Sequence, residues 1–292
     1  MDKRFDSSKG AYRKDKYDNR NRNKNSQRYN DNRRTAEFDN DSISPEEEGI
    51  VVGRNAVREL LKSERAIDKI FVQRGEREGS IVVLAAEATA RRIPLVEVEK
   101  AKLDKMTGGA NHQGIVAMAA QKEYCTVEDI LSIAEERGEK PFIVISDGIT
   151  DPHNLGALIR CAEGAGAHGI IIPKRRSVGL TAAVTKSSAG AIEHMAIAKV
   201  TNIAATVELL KKKGVWVFAA EAGGDAYYDT DFNCATAIVL GSEGDGVSSI
   251  VKEKSDYIVS IPMYGKVNSL NVSTAAAVIL SEVARQQKSK KN

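Results

Sequence analysis

Three short runs in the second half of the chain join polar side chains to turns that close apolar segments, the setting in which α/β proteins perform chemistry. The first is Asp147-Gly-Ile-Thr-Asp-Pro-His-Asn154-Leu-Gly-Ala-Leu-Ile-Arg160. It follows the apolar run Phe142–Ser146 and opens a helix, and ligands of open α/β sheets bind at that strand end. Asn154 is placed to cap the helix by accepting from its first free amides. Arg160 stands six residues on, in an otherwise apolar stretch. Such an arginine either snorkels to water or meets a reacting anion. The second run is Leu240-Gly-Ser-Glu-Gly-Asp-Gly-Val247, with three glycines in six residues and Glu243 in the middle. Glycine lets backbone approach a ligand closely, although a plain tight turn reads the same way. The third run is Ile261-Pro-Met-Tyr-Gly-Lys-Val-Asn-Ser-Leu-Asn-Val-Ser273. Ser269 or Asn271 could cap the helix that follows. Asn and Ser beside apolar residues also suit a neutral ligand rich in heteroatoms.

The elements that must hold these runs follow from the hydrophobic pattern. From Pro141 onward, apolar strands are expected at Phe142–Ser146, Gly169–Ile172, Ala196–Val200, Val215–Ala219, Ala237–Leu240 and Tyr257–Ile261. Helices are expected between them at Leu155–Gly164, Ala182–Ser188, Ile203–Lys213, Ser248–Lys254 and Leu270–Gln287. Continuous apolar strands alternating with helices predict a mostly parallel sheet covered on both faces. A smaller α/β unit is expected over 49–120, with a helix at Asn55–Leu61, strands at Lys69–Gln73, Pro94–Val98 and Ile115–Ala119, and a helix at Ser80–Arg91. Charged residues 121–140, with a helix at Val127–Arg137, read as a connector between it and the unit 141–292.

Residues 1–48 differ in kind. Residues 1–34 hold twelve Lys or Arg against five Asp or Glu, and 35–48 hold six acids and no base. The first 42 residues contain no Leu, Ile, Val or Trp. Too little apolar surface is available there to offset ordering entropy, so a disordered tail is expected. Its basic residues interleaved with Tyr12, Tyr17 and Tyr29 suit loose RNA contact; a solubilising appendage is the other reading.

Composition removes several classes. Cys125, Cys161 and Cys234 are scattered, as are the four histidines, so neither a disulfide framework nor a metal site is expected. No apolar run approaches bilayer length and the N-terminus is polar, which points to a cytoplasmic protein. Gly164-Ala-Gly-Ala-His-Gly169 spells a dinucleotide fingerprint, but the order here is helix, glycines, strand rather than strand, glycines, helix. Helix termination by glycine is the expected role.

In their order and spacing, DGITDPHNLGALIR, IVLGSEGDGV and IPMYGKVNSLNVSTAAAV resemble the three motifs of the SpoU (TrmH-like) family of RNA ribose 2′-O-methyltransferases. The likeness spans 141–288. Residues 49–120, with Val52-Gly-Arg-Asn-Ala-Val and His112-Gln-Gly-Ile-Val-Ala, look like that family's small L30e-like substrate-binding domain. The layout is similar to the RlmB branch, which modifies a guanosine of 23S ribosomal RNA. The resemblance implies a SPOUT-type α/β domain with a deep trefoil knot and S-adenosylmethionine as cofactor. It also implies a homodimer whose active site lies at the subunit interface, with no role for membrane or DNA. By the same carry-over, Asn154, Arg160, Glu243, Ser269 and Asn271 are the catalytic-site positions, and Gly241, Ile261 and Leu270 bind the cofactor. Transfer RNA as substrate is the first alternative. A non-catalytic RNA-binding or ribosome-assembly factor on the same fold is the second.

Overall fold

The computed structural model describes residues 49–75 and 79–288; the expected tail lies outside the described residues. Two sheets carry the architecture. The first holds β1 (Ile50–Val52), β2 (Ile67–Gln73), β3 (Leu95–Val98) and β4 (Ile115–Ala119), in the order β1-β4-β2-β3. Only the β2–β3 pair is parallel. Successive β2 residues alternate faces: Ile70 and Val72 join one cluster, Phe71 the other. Against the first face lies α1 (Arg54–Lys62), which buries Ala56, Val57, Leu60 and Leu61 as one helical stripe. Beside it packs α2 (Ser80–Ala90), which buries Leu84 and Ala88. A short helix, α3 (Lys100–Met106), was not expected from the sequence; only Leu103 of it is buried, so no apolar period marks it.

The second sheet holds six parallel strands in the order β10-β8-β9-β5-β6-β7. They are β5 (Phe142–Asp147), β6 (Gly169–Pro173), β7 (Ala196–Val200), β8 (Trp216–Ala226), β9 (Thr236–Gly241) and β10 (Tyr257–Ser260). The central strands β5, β6 and β9 are largely apolar runs because both faces are covered. Phe142 and Val144 of β5 enter one core, and Ile143 and Ile145 the other. The first core is closed by α5 (Pro152–Ala165), α6 (Ala182–Ser187) and α9 (Val272–Lys288). The second is closed by α4 (Val127–Glu136), α7 (Ile203–Lys212) and α8 (Ser249–Lys254). The stretch expected as a connector therefore carries a helix whose Val127 and Ile130 belong to this core.

Two boundaries differ in instructive ways. The α5 helix starts at Pro152, and its cap is Asp151, which accepts from the His153 amide at 2.7 Å. Proline at the first helical position presets φ and lacks only an amide that would have no partner. Asn154, expected as the cap, is instead buried inside the first turn. At the other end, Gly166 takes a left-handed φ of 76° and ends the helix, as the misplaced fingerprint implied. Strand β8 runs seven residues past its expected end at Ala219. Its pairing with β10 jumps from Ala219↔Ile258 to Asp225↔Val259, so Ala220–Gly224 are skipped on that side, while Ala220 still pairs with Leu240 of β9.

The two sheets meet across a polar seam. Arg65 donates to Glu193 at 2.8 Å, with the side chains 9% and 1% exposed. Lys122 donates to the Glu193 carbonyl at 3.3 Å, and His194 meets Glu59 at 2.9 Å. Burial pushes the Lys122 ammonium below its ordinary range, with the Glu193 charge opposing.

Candidate active site

Because β5 and β9 are neighbours in parallel register, Asp147 pairs with Gly241 and both strands end at the same edge. Their following loops therefore emerge side by side, together with the segment between β10 and α9. Asp147 accepts from the Ser248 amide at 2.9 Å, which ties the first loop to the second. The glycine-rich loop closes on itself through Ser242 and Gly246, whose amides donate to each other's carbonyls at 3.2 and 3.1 Å. A Cβ on Gly241 would lie 2.0 Å from the Gly246 carbonyl carbon, so only glycine permits this return. Glu221, on the skipped stretch of β8, accepts from the Val247 amide at 3.0 Å.

Asn271 joins all three loops. Its Oδ1 accepts from the Ser273 amide at 2.9 Å and the Thr274 amide at 3.4 Å, capping α9 as expected. That assignment fixes the amide's orientation, because the oxygen must face the helix. Nδ2 is thereby aimed at the site, where it donates to Asn154 Oδ1 at 2.9 Å and to Glu243 Oε1. Asn154 is 8% exposed. Its own Nδ2 makes no hydrogen bond with the described residues, and the residue lines a cavity, leaving two donors for a bound acceptor.

Two cavities flank this cluster. One, of about 390 Å³, is lined by Gly241, Ile261, Ser269 and Leu270, with Glu221, Glu243, Asp245 and Asn268 as further polar groups. Its floor is apolar, from Leu240, Val259, Val272 and Ile279. Among the described residues no Lys or Arg lines it while three carboxylates do, one of which, Glu221, lies 3.5 Å from the Lys252 ammonium; the acidic lining suits a small cationic ligand with apolar parts. The other, of about 680 Å³, is lined by Thr150, Asn154, Arg175, Arg176 and Glu243. Ser242–Gly246 and Val272 form a wall common to both.

The structure thus gathers Asn154, Glu243 and Asn271 into one network, and places Ser269, Gly241, Ile261 and Leu270 around the smaller cavity. Arg160 is not gathered. Expected among the catalytic-site positions, it is exposed, has no hydrogen bond or ion pair among the described residues, and borders neither cavity. Six residues from Asn154 is about 120° short of two full helical turns, so the two side chains leave α5 in different directions. Cys161, beside it, donates to the Ser273 carbonyl at 3.6 Å, and burial raises its thiol's pKa. Sequence reasoning passed over Arg175, Arg176 and Glu221. The run Lys174-Arg175-Arg176 at a strand's C-terminal end was the available signal for the first two; Glu221 had none.

Residues 141–281 match the SpoU rRNA Methylase family, and residues 50–125 match the RNA 2′-O ribose methyltransferase substrate binding family. YacO of Bacillus subtilis, named as a TrmH family tRNA/rRNA methyltransferase, is 45% identical over 81% of this chain and 95% of its own length. This chain belongs to the SpoU/TrmH family of RNA methyltransferases. A Staphylococcus haemolyticus relative with the same family name is 43% identical over 82% of this chain and 97% of its own. Family members of known structure share the fold. AviRb of Streptomyces viridochromogenes, solved in complex with its cofactor AdoMet, superposes with a TM-score of 0.68 at 23% identity, covering 82% of this chain and 90% of that one. An AdoMet-bound rRNA methyltransferase of Sinorhizobium meliloti gives 0.67 at 24% identity, covering 82% and 87%. Among the described residues, no helix is long and apolar enough to cross a membrane.

Proposed function

We propose that this protein methylates a ribose 2′-hydroxyl of structured RNA, with a guanosine of 23S ribosomal RNA as the favoured target and S-adenosylmethionine as the donor. The observation that carries the reading is the Asn154–Asn271–Glu243 network standing where the two cavities share a wall. The smaller, acid-lined cavity fits the cationic cofactor: Gly241, Ile261, Ser269 and Leu270 would hold it, with Glu221 and Glu243 near its positive charge. Bound there, the cofactor supplies a methyl already activated on a sulfonium.

What remains for the protein is alignment of the acceptor oxygen and stabilisation of the charge it develops. Asn271, locked by its cap, holds Asn154 and Glu243 in fixed positions. The free Asn154 amide donates to the acceptor nucleotide from the larger cavity, and Glu243 accepts from its hydroxyls. Positioning of this kind contributes several kcal/mol when the reacting atoms are held about 3–3.5 Å apart. Arg160 acts at the interface of a homodimer, where a second copy shields it from water. There its guanidinium stabilises developing alkoxide or a neighbouring phosphate. This arrangement accounts for an arginine that lies bare in a single chain. The L30e-like unit at 49–120 docks the RNA, and the enzyme works in the cytoplasm.

The test is transfer of labelled methyl from S-adenosylmethionine to unmodified 23S rRNA and, separately, to unmodified tRNA. Incorporation into 23S rRNA at a ribose 2′-oxygen is expected, with Asn154→Ala and Arg160→Ala both strongly impaired. Incorporation into tRNA alone would replace the substrate, and absence of cofactor binding by calorimetry would overturn the enzymatic reading.

A further inference from the structure

The larger cavity contains a feature that methyl transfer itself does not call for. Arg176 adopts a left-handed backbone conformation, φ 56°, where glycine is the comfortable residue. The strain is held from both sides. The Lys174 amide donates to the Val200 carbonyl at 2.7 Å, and the Val178 amide donates to the Ile149 carbonyl at 3.1 Å, so the loop is pinned to β7 and to the first motif's loop. Retaining a bulky charged residue at such a position points to a use for its side chain.

Arg176 and its neighbour Arg175, both exposed, are among the residues lining the cavity that Asn154 and Glu243 also line. Neither Arg175 nor Arg176 has a hydrogen-bond or ion-pair partner among the described residues. The acids around the same cavity are largely engaged. Asp147 accepts from the Ser248 amide, Asp151 caps α5, and Glu243 accepts from Asn271. Two exposed arginines with unpaired guanidiniums, each a planar fork of donors, thus border a space already fitted with a neutral amide and a carboxylate. A ribose offers hydroxyls to the latter pair, and the phosphodiester flanking it offers anionic oxygens to the former.

We propose that Arg175 and Arg176 form the backbone-phosphate anchor for the acceptor nucleotide, fixing the RNA strand so that its sugar lies against Asn154 and Glu243. The inference rests on the RNA methyltransferase reading and specifies where its substrate sits. Such contacts position an RNA without reading its sequence.

Arg176→Gly provides a clean test, because it removes the guanidinium and relieves the backbone strain together. In the full-length chain the variant is expected to melt no lower than the unaltered protein and to bind S-adenosylmethionine equally by calorimetry. Its affinity for unmodified 23S rRNA should fall roughly tenfold, in keeping with loss of a charge-assisted contact. The slope of log affinity against log salt should flatten by about 0.7–0.9 for each arginine removed, further in the Arg175→Ala, Arg176→Gly double variant. KM for RNA should rise by more than kcat falls. Unchanged affinity and slope in the double variant would overturn the anchor while leaving the methyltransferase reading intact, and so would a fall in kcat with KM unaltered. If the unaltered protein neither binds nor methylates the RNA, both fall together.

Discussion

Glu193 and Asn154 are equally buried polar residues, each 8% exposed, yet they serve opposite ends. At the seam between the sheets, the Glu193 carboxylate is matched by Arg65 and its carbonyl by Lys122, and it borders none of the cavities described above. At the sheet edge, Asn154 gives only its oxygen to the described residues and lines a cavity with two donors unused. A buried charge matched by a partner across the seam holds structure together. Burial with one valence left open beside a cavity prepares a site. A buried charge is a poor investment for stability by itself, but removing one partner strands the other.

Glu193→Ala should therefore give the largest loss of stability, about 3–5 kcal/mol, read from denaturant or thermal unfolding. Methyl transfer per folded molecule should not change below the new melting range. Asn154→Ala should do the reverse. Its kcat is expected to fall about 10²–10³-fold, as when a donor to developing charge is removed, with a stability loss near 1 kcal/mol. If Asn154→Ala unfolds the protein as readily as Glu193→Ala, the distinction between the two networks is lost. Gly241→Ala sharpens the comparison from within the edge, since its Cβ collides with backbone rather than a movable side chain. An overpacking cost of about 1–3 kcal/mol is expected, together with weaker S-adenosylmethionine binding by calorimetry. Asp151→Ala should cost about 1 kcal/mol by loss of the α5 cap.

The smallest effect is expected at the far end of the same sheet. His168 accepts from the Phe142 amide at 3.0 Å and meets Glu139 at 3.2 Å. Burial holds its pKa below the ordinary 6.5, with Glu139 opposing. The folded state thus resists a proton that the unfolded chain accepts. Its stabilising contribution is complete above the ordinary value and is lost as pH falls toward the depressed one. Melting curves from about pH 8 to about pH 5 should show a shallower acid-side decline for His168→Asn.

Legibility from sequence divided along physical lines. Strands β5, β6 and β9 were plain because burial on both faces demands unbroken apolar runs. Helix α3 and the register skip at Ala220–Gly224 were hidden, since one buried leucine and a run of Glu, Ala and Gly carry no periodic signal. At the site, the three loops could be found because each follows a strand that ends at one edge. The roles within them were harder. Pro152 moved the start of α5 and so turned Asn154 from cap to site residue. The direction of Arg160 depends on helix phase, and the strain at Arg176 exists only in three dimensions.

The Arg65–Glu193 pair carries one more consequence. Swinging the small sheet away from the large one would part opposite charges in a nearly dry setting. Separation of the two sheets is therefore opposed by the cost of leaving each buried charge without its counterpart.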